Sequence, residues 1–175
     1  GLIGILILWG GSFYAGYALP FQDVGQLSAS QRITVSINLI LVAISLYASP
    51  IISREFKSSG TKALIATIAQ CNRAILFFCV ITAATLFTFL DEISDFFEIT
   101  AENQSLIIIL AIAQIFSCLT GLSLQILNMT GNQAYTRRST AFGGGVLLLS
   151  CAVSTISPST TAFATSIALG LIAQN

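Results

Sequence analysis

Histidine is absent from the 175 residues and charge is scarce: seven Lys and Arg against seven Asp and Glu, 8% of the chain, with a net charge of zero. Soluble domains carry about 25% charged residues, and a chain of this length folded in water covers a large surface with polar groups. With 55% hydrophobic residues and a mean hydropathy of +0.88, that surface would be oily. The shortage argues against a water-soluble enzyme and a disordered tail, and the lack of a basic stripe argues against a nucleic-acid binder. Without His, the commonest general base and metal ligand is missing. The four cysteines, Cys71, Cys79, Cys118 and Cys151, form no CxxC pair. All four sit in apolar runs, where a thiol behaves as a small hydrophobe rather than a bridge or metal ligand. No nucleophile–base pair, phosphate loop or paired-carboxylate spacing is visible, so nothing points to catalysis, a cofactor or a metal. What remains is an all-α polytopic membrane protein.

A spanning helix takes roughly 20 apolar residues, and the chain divides into six such stretches. The first is Gly1–Ala18, with Trp9, Tyr14 and Tyr17 as interface anchors. Pro20 and Gly25 break the pattern after it, and a second span covers about Ile33–Ile52, its helix starting near Ser28. The third helix starts near Lys62 and is uncharged from Ala74 to Leu90; the fourth is Ser105–Met129, the fifth about Ala141–Ile156, and a sixth starts at Thr160 or Thr161. Alternating strands of a membrane barrel are absent, and helices satisfy their own backbone groups in lipid. The chain starts and stops inside apolar runs with no signal-peptide pattern, and is expected to be one six-helix transmembrane lobe, 1–175, of a longer protein.

The charges sort by position. Loop 53–62 and loop 130–140 hold Arg54, Lys57, Lys62, Arg137 and Arg138, five of the seven bases. Segment 91–104 holds Asp91, Glu92, Asp95, Glu98 and Glu102, five of the seven acids. Cytoplasmic loops collect Lys and Arg, so the basic loops are expected in the cytoplasm and the acidic one outside. Segment 91–104 lacks the spaced ligands and Gly of a calcium loop; Ile93, Phe96 and Phe97 at helical spacing predict an amphipathic interfacial helix.

The two remaining bases are Arg32 and Arg73. Arg73 reads as another positive-inside residue that snorkels to headgroups, or as a cavity cation. Arg32 lies at the outward end of its span, where the positive-inside bias does not account for it; it snorkels outward or faces a wet cavity that meets an anionic substrate. Gln114, Ser117, Gly121, Gln125 and Asn128 step by three or four along the fourth span and share one face. That stripe lines a hydrated path or binds helices together. Gln70 with Arg73, and Ser28, Arg32 and Ser36, show the same stepping, which suggests a cavity shared by three helices. Small residues four apart mark close packing: Gly11/Ala15, Ser139/Gly143 and Ala162/Ser166/Gly170. Gly143–Gly145 is either part of such a seam or a hinge.

Short motifs resemble one family. The stretch Gln22–Ile33, through its Val24-Gly25 and Arg32-Ile33, is similar to the VG-x-Y-x-x-A-x-[RK]-[ILV] linker of bacterial Wzx-type polysaccharide flippases, relatives of the multidrug and toxin extrusion transporters. Leu27 stands where the linker has Tyr. Ser49-Pro50-Ile51-Ile52-Ser53 resembles the family's P-x-[IL]-[SA] ending, Leu127–Asn132 its exit from the fourth span, and Thr161–Ser166 the G-A-A-x-A-T start of its sixth. The first-span acid common in the family is missing, and its P-x-x-G before the sixth span is reduced to Pro158. The resemblance implies one of two six-helix lobes, more in keeping with the C-terminal one, that rock around a central cavity. It implies the lipid bilayer and a polyprenyl-diphosphate-linked oligosaccharide as partners, with the missing lobe in the same chain. Arg32, then Arg73, would hold the cargo phosphates, Arg being suited to them by its fork. Gln70, Gln114, Gln125 and Asn128 would meet sugars or water. The alternatives are a cation-coupled exporter of the same fold, which would want acids inside its spans, and a non-transporting scaffold subunit.

Overall fold

The computed structural model describes residues 2–58, 61–120, 122–156 and 158–174, with side chains described from residue 9 onward, those of 57–63 excepted. Gly121 of the expected stripe and the Lys57 and Lys62 side chains therefore lie outside the described residues. The chain forms eight helices among the described residues and no strand: α1 (Leu2–Ala18), α2 (Phe21–Ser58), α3 (Thr61–Thr88), α4 (Leu90–Phe96), α5 (Gln104–Thr120), α6 (Ser123–Met129), α7 (Gln133–Ser154) and α8 (Thr160–Gln174). The all-α class holds.

Among the described residues three helices are long and apolar enough to cross a membrane: Phe21–Phe56 on α2, Leu64–Thr88 on α3, and Ala101–Thr120, which covers α5. The sequence had suggested six. The first and last of the expected spans fall on α1 and α8, of which 17 and 15 residues are described. α7 has 22 residues, but its first two turns are polar and carry Arg137 and Arg138.

Three other expectations change. The supposed linker is helical: α2 runs 38 residues from Phe21 and continues through Pro50. Pro20 stands just ahead of its first turn, where a missing N–H costs nothing, and its carbonyl accepts the Val24 N–H at 3.2 Å. The fourth span is interrupted, α5 ending at Thr120 and α6 starting at Ser123. The Leu122 N–H beyond the break is taken by Asn72 Oδ1 of α3 at 3.4 Å. The acidic segment forms only the short α4 and a single 3-10 turn, Ala101–Asn103. Of its apolar trio, Ile93 packs inward while Phe96 is 81% exposed.

α2 and α5 start at the same end and separate two cores. On one side Leu27, Leu110 and Ala113 pack with Ala15 of α1, Leu147 of α7 and Phe163 and Ile167 of α8. On the other, Ile37, Ile52, Ile107 and Ala111 pack with Ile75, Cys79 and Leu86 of α3. All four cysteines are buried and free. Phe77, Phe78 and Val80 of α3, Ile112 and Leu119 of α5, and Leu148 and Leu149 of α7 face outward, the distribution expected when the surrounding solvent is hydrocarbon.

The small-residue seams are helix contacts. A Cβ at Gly11 would stand 2.3 Å from Ile167 Cγ1, one at Gly170 2.9 Å from Leu147 Cβ, and one at Gly143 2.9 Å from the Gln174 backbone. α7 passes through Gly143–Gly145 unbroken, and the Ser139 hydroxyl donates to the Gln174 carbonyl. Gly131 closes α6 in a left-handed conformation, φ +87°, with the Asn132 N–H returning to the Leu127 carbonyl at 2.9 Å. Gly131→Ala is expected to lower stability by about 1 kcal/mol, because an L side chain resists that conformation. A thermal melt of the purified protein checks it.

Chain direction puts the charges at opposite ends of the bundle. Glu98 and Glu102 flank the contacts made to the start of α2, and Arg54 lies at its far end. Arg137 and Arg138 open α7, beside the last turn of α8.

Candidate substrate cleft

Polar groups that enter an apolar bundle need partners or a hydrated space, and α2 carries many of them. Gln26, Ser30, Gln31 and Thr34 are at most 7% exposed. Ser30 and Thr34 donate to their own helix at Gln26 O (2.8 Å) and Ser30 O (3.0 Å). Gln31 Oε1 accepts the Ser12 hydroxyl of α1, whereas Gln31 Nε2 has no partner.

Further along α2 the same side opens into a cleft of about 360 Å³ bounded by α5, α6 and α8. Its polar lining is Asn38 and Ser45 of α2, Ser117 of α5, Gln125 of α6 and Gln174 of α8. Leu41, Val42, Leu46, Leu124 and Leu171 complete the walls, and no charged side chain is among them. Gln125 Nε2 donates to Ser49 Oγ at 2.5 Å. The Ser45 hydroxyl donates to the Leu41 carbonyl, which leaves its lone pairs available. Asn38 Oδ1 is buried without a partner, as is Gln114 Oε1 about one turn from Ser117.

Of the residues singled out from sequence, the structure brings Ser117 and Gln125 together on this cleft. Gln114, 1% exposed, lies deeper in the bundle, and Asn128 is half-buried on α6 toward the basic end. Gln70 lines a separate groove of about 300 Å³ with Tyr47 and Thr67, between α2 and α3. Arg73 is exposed on α3. Arg32 is exposed and lines a third groove, with Ile81, Thr82 and Phe97. Arg32, Gln70 and the polar stripe thus occupy different recesses rather than one.

The reason is a matter of phase. Ser28, Arg32 and Ser36 are half-buried or exposed, while Gln26, Ser30 and Thr34 are buried. Two residues of offset is about 200° around a helix, so the stripe chosen from sequence lies opposite the one that faces the core. Asn38, Ser45 and Gln174 were missed; the signal for the first two is their place in the run Thr34, Asn38, Ser45, Ser49, at steps of four and seven.

No group of three or more His, Cys, Asp or Glu able to hold a metal is found among the described residues. No family model, curated protein or solved structure matches the chain.

Proposed function

We propose that this chain is one lobe of a membrane transporter that carries lipid-linked oligosaccharide across the bacterial inner membrane by alternating access, for cell-surface polysaccharide synthesis. The observation that supports it is the uncharged cleft. Carboxamides and hydroxyls both donate and accept, which suits the hydroxyl-rich head of such a cargo, and Asn38, Gln125 and Gln174 supply three carboxamides to the lining. A cation-coupled exporter would need carboxylates in the cleft, and its lining contains none. In this reading α1, α2, α3, the α5–α6 stretch, α7 and α8 each cross the membrane. Loops 53–62 and 130–140 lie in the cytoplasm, segment 91–104 lies outside, and a second lobe completes the cavity. No step of the cycle asks for catalysis or a cofactor.

The test is flipping of a fluorescent short-chain prenyl-diphosphate oligosaccharide by the full-length protein in proteoliposomes, read by a membrane-impermeant quencher. Asn38→Leu keeps the side chain's size and removes the buried orphan acceptor. It is expected to slow flipping about ten-fold, equivalent to losing one hydrogen bond in the transport barrier, with no loss of thermal stability. A wild-type rate in that variant would overturn the assignment of the cleft.

A further inference from the structure

Arg32 belongs to neither the cleft nor the positive end of the bundle, and its surroundings are those of a lipid site. α2 and α3 form an antiparallel pair, and Arg32 stands level with the last turns of α3, beside Thr85 and Leu86. At the helical rise per residue this is roughly 33 Å from Arg54 at the basic end. The hydrocarbon of a bilayer is about 30 Å thick and the headgroups extend it to about 40–45 Å, so a guanidinium here is at headgroup level in the leaflet of the acidic end. Among the described residues it has no hydrogen-bond or ion-pair partner. Beneath it a groove of about 420 Å³ runs between α2, α3 and α4, walled by Ile33, Ile81, Leu86, Ile93 and Phe97. The hydroxyls at its edge are largely committed: Ser36 donates to Ile33 O at 2.6 Å and Thr85 to Ile81 O at 3.0 Å. The acids of the adjoining α4, Asp91, Glu92 and Asp95, are exposed, and neither they nor Asp23 of α2 is part of the lining, which α4 supplies through Ile93.

We infer that this groove holds an anionic phospholipid of the leaflet at the acidic end, its phosphate on the Arg32 guanidinium and an acyl chain along Ile33, Ile81 and Leu86. An unpaired cation above an apolar trough complements that amphiphile and no purely polar anion. Arg offers two parallel N–H donors to a phosphate, while the trough removes the chain from its neighbours without exposing it to water. The site needs no transport activity and is independent of the cleft.

Full-length protein in nanodiscs, probed with spin-labelled phosphatidylglycerol and phosphatidylcholine, tests it. One interfacial Arg predicts a preference of about five-fold for the anionic lipid. Arg32→Gln should bring that ratio close to one, and Arg32→Lys should retain most of it. Thr85→Trp, which fills the groove from its exposed rim, should reduce retention of both labels. An undiminished preference in Arg32→Gln would overturn the site. So would unchanged retention in Thr85→Trp, or displacement of phosphatidylglycerol by an equal concentration of polyprenyl phosphate, which would make the occupant cargo instead.

Discussion

Gly143→Val is expected to destabilise the protein by about 3 kcal/mol, the upper range for forcing bulk into a closed contact. The added Cβ would stand 2.9 Å from both N and Cα of Gln174 and 2.8 Å from its Cβ. Backbone cannot rotate aside as a side-chain tip can, so α7 and α8 must separate, and this is the most extensive helix pair in the fold. Separation also breaks the bond from the Ser139 hydroxyl to the Gln174 carbonyl. Helix propensity acts in the opposite direction, since Gly is about 1 kcal/mol worse than Ala in a helix, but it recovers only part of the loss. Gly145, two residues on, has nothing within 4 Å of its would-be Cβ. Gly145→Ala should therefore raise stability by about 0.5–1 kcal/mol. Opposite signs at neighbouring glycines distinguish a packing seam from a hinge, for which both substitutions would stiffen the helix alike. Fluorescence of Trp9, the sole Trp and a half-buried residue on α1, reports unfolding in either variant.

Those seams were legible in the sequence because small residues four apart carry one physical message, close backbone approach. The helical class and the three long apolar helices were legible for a similar reason: uncharged runs have few other uses. The start of α2 was not. Gln22 to Thr34 is polar enough to read as a linker, yet Gln31 and Gln26 turn inward to Ser12 and Asn103, and Pro20 marks the helix's beginning rather than a gap. Nor could the break between α5 and α6 be placed, since the group that accepts the Leu122 N–H is Asn72, 50 residues earlier. The candidate site was half visible. Ser117 and Gln125 share the cleft as their spacing suggested, but Arg32 and Gln70 lie in other grooves. Periodicity defines a stripe; it does not say which of two polar stripes on one helix faces the core.

The inward polar groups of α2 also organise the acidic end, and Gln26→Leu is expected to cost about 2–3 kcal/mol there. Gln26 is 7% exposed. Its Nε2 donates to the Glu98 carbonyl at 3.3 Å, and its Oε1 accepts Asn103 Nδ2 at 2.6 Å and the Thr100 hydroxyl at 3.2 Å. Asn103 Oδ1 in turn accepts the Thr160 hydroxyl at 2.9 Å. One carboxamide thus ties α2 to the turn after α4 and, through Asn103, to the first residue of α8. The turn needs the tie, because Glu98 has φ 55°, a left-handed conformation that a non-glycine residue holds at a cost of about 1–2 kcal/mol. Leucine fits the volume but leaves the Asn103 amide and the Glu98 carbonyl unpaired, each a loss of about 1–3 kcal/mol where burial is complete and less at this partly wetted end. Gln26→Glu separates the two halves of the lock. It keeps an acceptor for Asn103 and Thr100 while placing a carboxylate against the Glu98 carbonyl, so its loss should be at least as large at neutral pH and should shrink once the added acid is protonated. Hydrogen exchange should rise in residues 97–103 and at the first turn of α8 in Gln26→Leu, with the α2–α3 pair unaffected. Wild-type exchange in both places would mean that the acidic end is held by its apolar contacts at Ile93 and Ile99 alone.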